Sequence, residues 1–169
     1  MERQLLAISP KARLLSVDYG KNPKDYQAAP IKITFRYEIP DYALKGEGEM
    51  FFRPMVMNNL YNQVRSYMWI DTSVENRKYG FKDACSRLVE LDETVQLPAG
   101  YKLVSAVKDE TMQGVGADFE GSLVQKGNKV LLHNRLALKK RVYEASDWES
   151  FRNAVNAHKA YGEYLVIKK

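Results

Sequence analysis

The sequence predicts a mainly β fold, an immunoglobulin-like antiparallel β-sandwich with one helix near the C-terminus. Three observations predict it. Apolar residues recur at every second position in several runs, as half-buried strands require. Turn residues, Pro98-Ala99-Gly100 and Gly127-Asn128 among them, separate these runs. A single segment, Ser146 to Tyr161, instead repeats its apolar residues at helical spacing. With 169 residues, 45% apolar and 28% charged, the chain is long and apolar enough to form a core without disulfide or metal. Wholesale disorder, collagen and coiled coil are excluded by the same composition.

Residues 1–28 are expected to form an N-terminal arm or linker with one strand at Arg13 to Val17, because Pro10 and the turn-like Tyr19-Gly20-Lys21-Asn22-Pro23 interrupt the apolar positions. The β-sandwich domain is expected over 29–169. Ile31, Ile33, Phe35, Tyr37 and Ile39 alternate with polar residues until Pro40, which cannot donate to a ladder, stops the strand. Gly48 to Met57 reads as a strand broken or bulged at Pro54. Asn58 to Ile70 fits helix or extended chain, with Trp69 and Ile70 expected in the core.

Arg87 to Leu97 predicts a long strand on which Val89, Leu91, Val95 and Leu97 share a parity. Glu93 falls on the same face, which predicts a bulge or strand end there. Tyr101 to Val107 is read as the next strand. After a turn at Asp109-Glu110, Val115, Ala117, Phe119 and Leu123 continue the alternation. Gly127-Asn128 sits where a tight hairpin needs positive φ. In the following strand Val130, Leu132, Leu136 and Leu138 face one side, and His133, Arg135, Lys139 and Arg141 lie on or near the other. Ser146-Asp147-Trp148-Glu149 is a capping-box pattern. Trp148, Phe151, Val155 and His158 then mark the buried face of a helix that Gly162 is expected to stop, and Tyr164 to Ile167 reads as a last strand.

The net charge of +5 arises after Asn128, where nine basic residues stand against Glu144, Asp147, Glu149 and Glu163. Such a stretch could bind phosphates. No nucleic-acid fold signature or aromatic-basic repeat accompanies it, so a solvated face is expected and nucleic acid is not expected as a partner. No apolar run approaches the ~20 residues of a membrane helix, and no apolar signal region follows Met1-Glu2-Arg3-Gln4. The chain is therefore expected to be soluble, without membrane insertion, and either cytosolic or the trimmed part of an exported protein.

Cys85, His133 and Asp147 follow the chain order of a thiol–imidazole–carboxylate nucleophile. Against that reading, Asp83 places a negative charge near the thiol, His133 lies inside a strand, and Asp147 suits a first helical turn. Three unrelated structural residues are expected, and no catalytic residue is assigned. Gly114-Val115-Gly116 with Gly121 lacks the spacing of a dinucleotide loop. Two histidines, His133 and His158, and one cysteine cannot by themselves close a structural zinc site. No calcium loop is present. Neither cofactor nor metal is expected.

Several segments together resemble one family: APIKITFRYEIPDYA (Ala29 to Ala43), Arg77-Lys78-Tyr79, LPAGY (Leu97 to Tyr101), NRLALKKRVYEASDWESFRNAV (Asn134 to Val155) and a final LVIKK. In this order they resemble the C-terminal β-sandwich domain, of unknown function, of bacterial transglutaminase-like proteins with a papain-fold core. The resemblance implies a non-catalytic accessory domain that packs on or orients a neighbouring transglutaminase-like core domain. It also implies a periplasmic, cell-envelope or secreted location, and it carries over no catalytic residue. The Met-rich stretch Phe51 to Met68 departs from it. The alternative is a glycan- or peptide-binding β-sandwich module that uses exposed aromatics or a free sheet edge.

Overall fold

The computed structural model describes residues 2–20, 32–58, 71–105 and 109–169. They fall into two compact units, Met1–Tyr42 and Ala43–Lys169. The expectations for Ile31, for 59–70 with Trp69 and Ile70, and for Val107 lie outside the described residues.

In the first unit, helix α1 (Glu2–Ile8) carries Glu2 in its first turn, where a carboxylate complements the helix dipole. Leu5 is buried. Strand β1 (Arg13–Asp18) pairs antiparallel with β2 (Thr34–Glu38), Arg13 opposite Glu38 and Asp18 opposite Thr34, with a register shift between Leu14 and Ser16. Phe35 and Tyr37 are the less exposed residues of β2, as the alternation predicts. The stretch read as an arm over 1–28 thus contains a helix and a strand. Because the partner of that strand lies beyond residue 28, the compact division falls after Tyr42.

The second unit is mainly β, with several antiparallel sheets and one substantial C-terminal helix. In chain order it holds β3 (Leu44–Lys45), β4 (Glu49–Phe52), the four-residue α2 (Met55–Asn58), β5 (Phe81–Lys82), β6 (Arg87–Gln96) and β7 (Lys102–Leu103). These are followed by β8 (Glu110–Gln113), β9 (Ala117–Lys126), β10 (Lys129–Leu138), β11 (Val142–Tyr143), a 3-10 turn (Ala145–Asp147), α3 (Trp148–Ala160) and β12 (Leu165–Lys168). One sheet has the order β6-β10-β9-β8 and the other β3-β4-β12-β7, and β5 and β11 form a small ribbon.

The β9–β10 hairpin turns on Gly127, whose φ of 60° sits at the first central position of a two-residue loop. Ala117, Phe119, Leu123, Val130, Leu132, Leu136, Leu138 and Val89 form the buried face of the first sheet. Helix α3 covers one part of that face with Phe151, Ala154, Val155, Ala157 and His158. Two polar residues on the same face reach the second sheet. Gln125, opposite Val130, accepts the N–H of Leu103 at 2.7 Å, and Glu93, opposite Leu132, accepts those of Met55 and Val56 just after β4. These bonds tie the two sheets together as layers.

Four local expectations are corrected. β6 runs through Glu93 without a bulge, each residue paired in turn with β10, because the carboxylate is satisfied by the N–H groups that open α2. Val115 is 71% exposed at the tip of the β8–β9 loop, since Gly114 and Gly116 press against helix α3 and turn the side chain outward. A Cβ on Gly114 would lie 2.4 Å from that of Ser150. The helix start is organised by Asp147 in place of Ser146 and Glu149: its carboxylate accepts the N–H of Glu144 at 2.9 Å across the 3-10 turn. Helix α3 ends at Ala160 with Tyr161 as its cap at φ −71°, and Gly162 does not adopt the left-handed conformation.

Candidate functional site

The three residues with nucleophile chemistry are placed apart. Cys85 is exposed, and the acidic neighbour Asp83 holds Arg87 through both carboxylate oxygens at 2.9 Å. Cys85 precedes Arg87, which pairs with Leu138, and His133 is five residues further along β10, roughly 16 Å away at strand rise. Asp147 is buried at the start of α3, where Lys140 Nζ donates to it at 2.7 Å. That bond, reinforced by the Glu144 N–H, holds its carboxyl below the usual carboxylate range.

His133 has a different acidic partner. Its Nδ1 lies 2.7 Å from Asp92 Oδ1 across the β6–β10 pair, and Ser122 is its register partner on β9. Serine, imidazole and carboxylate therefore share the outer face of three adjacent strands. The N–H groups of β10 bond to neighbours on both sides, so none is aimed at a developing oxyanion there. Four of the nine basic residues of the C-terminal stretch are likewise matched with acids: Arg135 with Glu90, Lys139 with Asp118, Lys140 with Asp147 and Lys168 with Glu49.

His158, the other histidine, is fully buried and meets Asn134 of β10, Nδ1 to Oδ1 at 2.5 Å. The pair links α3 to the central strand. Opposite Asn134 is Gly121, where a Cβ would come within 2.5 Å of the Tyr161 ring, so the bare backbone lets the helix end approach the sheet. Among the described residues no group of three or more His, Cys, Asp or Glu could hold a metal ion.

One hollow lies beside the start of α3, against the segment 71–77. The segment 71–77, without regular structure, is strapped to the helix by three bonds. Trp148 Nε1 donates to Val74 O at 3.0 Å, Arg152 Nε to Thr72 O at 2.9 Å, and Lys159 Nζ to Thr72 Oγ1 at 3.0 Å. The strap delivers Arg77 onto an aromatic cluster. Its guanidinium carbon lies 4.3 Å from the Trp148 ring centroid and 4.8 Å from that of Phe81. Phe81 in turn stacks on Tyr143 at 4.7 Å and meets Phe151 edge-on at 4.9 Å. The result is a hollow of about 480 Å³ lined by Arg77 and Arg152, by Glu75 and Glu149, and by Asn76 and Asn153 among others. The pairing Arg77–Trp148 crosses 71 positions of chain, and no local pattern marks it in the sequence.

The family model described as "Domain of Unknown Function with solved-structure structure (DUF3858)" matches residues 48–166. No curated protein matches the chain. Among solved structures, the chain is similar to one described as a "putative protease" from Parabacteroides distasonis, with a TM-score of 0.58 and 13% identity. That similarity covers 73% of this chain and 24% of the other, so the chain spans about a quarter of the length of the structure it resembles. At this identity the likeness concerns the fold alone.

Proposed function

Since the chain belongs to the DUF3858 family, a domain family of unknown function, we propose that it acts as a non-catalytic accessory domain within a larger bacterial protein. Its neighbour would be a transglutaminase-like or peptidase-like core, which it packs on or orients. The observation that carries this reading is the recurrence of the fold as about a quarter of a larger chain described as a "putative protease". The dispersal of Cys85, His133 and Asp147 supports it, because nucleophile, base and orienting acid must lie within hydrogen-bond reach to work together. The same reading places the protein in the periplasm, cell envelope or extracellular space, as the resemblance to envelope transglutaminase-like proteins suggests.

The test compares the purified chain with a longer protein carrying both this domain and a papain-fold core, in amidase, peptidase and amine-transfer assays. Activity is expected only in the longer protein. Turnover by the purified chain itself, abolished by a substitution within it, would overturn the proposal. The rival reading, a binding module for peptide or glycan, is favoured by one observation, the hollow that Arg77 and Arg152 share.

A further inference from the structure

The hollow beside α3 holds two guanidinium groups, and neither forms a close ion pair among the described residues, although Asp71 acts on Arg77 at longer range. No carboxylate oxygen lies within 4 Å of Arg77 or Arg152 among the described residues, although Glu75 and Glu149 line the same space. Arg152 uses its Nε on Thr72 O. Arg77 is held differently: its Nε is buried without a hydrogen-bond partner, and its plane is fixed against Trp148 and Phe81. A guanidinium stacked on aromatic rings has already lost its rotamer freedom and part of its hydration, so a planar oxyanion gains more from it than from a free surface arginine. The volume, about 480 Å³, is that of a small-ligand site.

We propose that this hollow is a binding site for the carboxylate end of a peptide, with Arg77 and Arg152 holding the carboxylate and the exposed Glu149 and Glu75 accepting N–H groups of the same ligand. A carboxylate matches the fork geometry of a guanidinium through two parallel hydrogen bonds. Glu75 and Glu149 set the class of ligand: two acids around the arginines repel a multiply charged phosphate, yet suit a singly charged carboxylate that carries amide or ammonium donors behind it. The proposal rests on the binding-module reading and is independent of whether the domain also packs on a catalytic core.

The experiment titrates the isotope-labelled chain with the dipeptide alanyl-alanine, its C-terminal amide and inorganic phosphate, following the Trp148 indole and the Arg77 side-chain N–H signals by NMR. Saturable shifts at millimolar dipeptide are expected, weakened about tenfold or more for the amide, the typical worth of a charge-assisted hydrogen bond. Arg152→Gln should weaken dipeptide binding to a similar extent, and Arg77→Lys, which keeps the charge and loses the fork, should do so as well. Because Arg77 packs on Trp148, Arg77→Lys could also lower stability; Arg152→Gln, checked by an unchanged melting midpoint, then carries the test. Absence of saturable shifts, equal binding of acid and amide, tighter binding of phosphate, or binding unaffected by Arg152→Gln would each overturn the proposal. None of these readouts involves turnover, so failure here leaves the accessory-domain reading untouched.

Discussion

The carboxylate of Glu93, in the middle of β6, accepts the backbone N–H of Met55 at 2.7 Å and that of Val56 at 3.0 Å. An acid on the buried face of a sheet is thereby used as the cap of a helical turn that follows the neighbouring sheet. Glu93→Ala would leave two partly buried N–H groups without an acceptor, at a cost of about 1–3 kcal/mol. Glu93→Gln retains one carbonyl oxygen and should cost less. Urea denaturation of the two variants checks the order, and equal stability of Glu93→Ala and the parent would show that the cap contributes nothing.

Trp148 is expected to be the most sensitive single position of the helix. It is 2% exposed, contacts Phe81 and Phe151, supports Arg77, and donates its indole N–H to Val74. Trp148→Ala should cost about 3–5 kcal/mol, as for other buried aromatics. Trp148→Phe keeps a ring and loses the bond to Val74, so it should fall between. A denaturation midpoint unchanged by Trp148→Ala would show that α3 is not docked through this residue.

Gly121→Ala tests how closely the helix end approaches the sheet. The added methyl would meet the Tyr161 ring at 2.5 Å and the Phe119 ring at 2.7 Å, both aromatic and both buried. Overpacking of this kind costs about 1–3 kcal/mol. The destabilisation should shrink in a Tyr161→Ala background, which opens space, and a double-mutant cycle measures that coupling.

Alkaline pH should destabilise the protein through Tyr161. Burial, with a smaller contribution from Glu110 and Asp109, pushes its phenol from 10.0 up to about 12. The folded state therefore keeps the proton longer than the unfolded chain. The stability this represents is fully present below pH 10 and is lost as pH rises through the window from 10 to about 12. At the acid end the sign reverses: Lys140 beside Asp147 and Lys139 beside Asp118 hold both carboxyls below their ordinary value. Their contribution is present above that value and fades as pH falls through the folded pKa. Melting curves across pH, with Tyr161→Phe flattening the alkaline limb and Asp147→Asn the acid limb, check both signs.

Cys85 is free and exposed, so a thiol reagent should label it in the native protein. Its rate should not change in His133→Ala, because the imidazole is engaged with Asp92 in the middle of β10. A rate that falls sharply in His133→Ala would show that the two side chains meet and would revive the nucleophile reading.

The strands and the helix were legible because their signals are local. Alternation marked β6, β9 and β10, Gly127 marked the hairpin, and the spacing of Trp148, Phe151, Val155 and His158 marked the buried face of α3. Val115 shows where alternation misleads. It has the parity of Ala117 and Phe119, yet the backbone turns between them at Gly116, and parity has no meaning across a loop. The candidate hollow was not legible, because Arg77 belongs to a stretch with no periodicity and meets Trp148 only through the strap that Thr72 and Val74 form on the helix.

Backbone geometry links side-chain direction to position along a strand or helix, so fold class, strand parity and the core face of α3 can be read from the order of residues alone. Which charges meet is a different matter. His133 finds Asp92 at a separation of 41 residues, Met55 finds Glu93 at 38, and Arg87 finds Asp83 at four. Only the last is local, and the first two depend on the register of β6 against β10 and on the second sheet lying over the first. Burial of the whole face sets that register, since a shift by one residue would turn every apolar side chain of the strand to the opposite side.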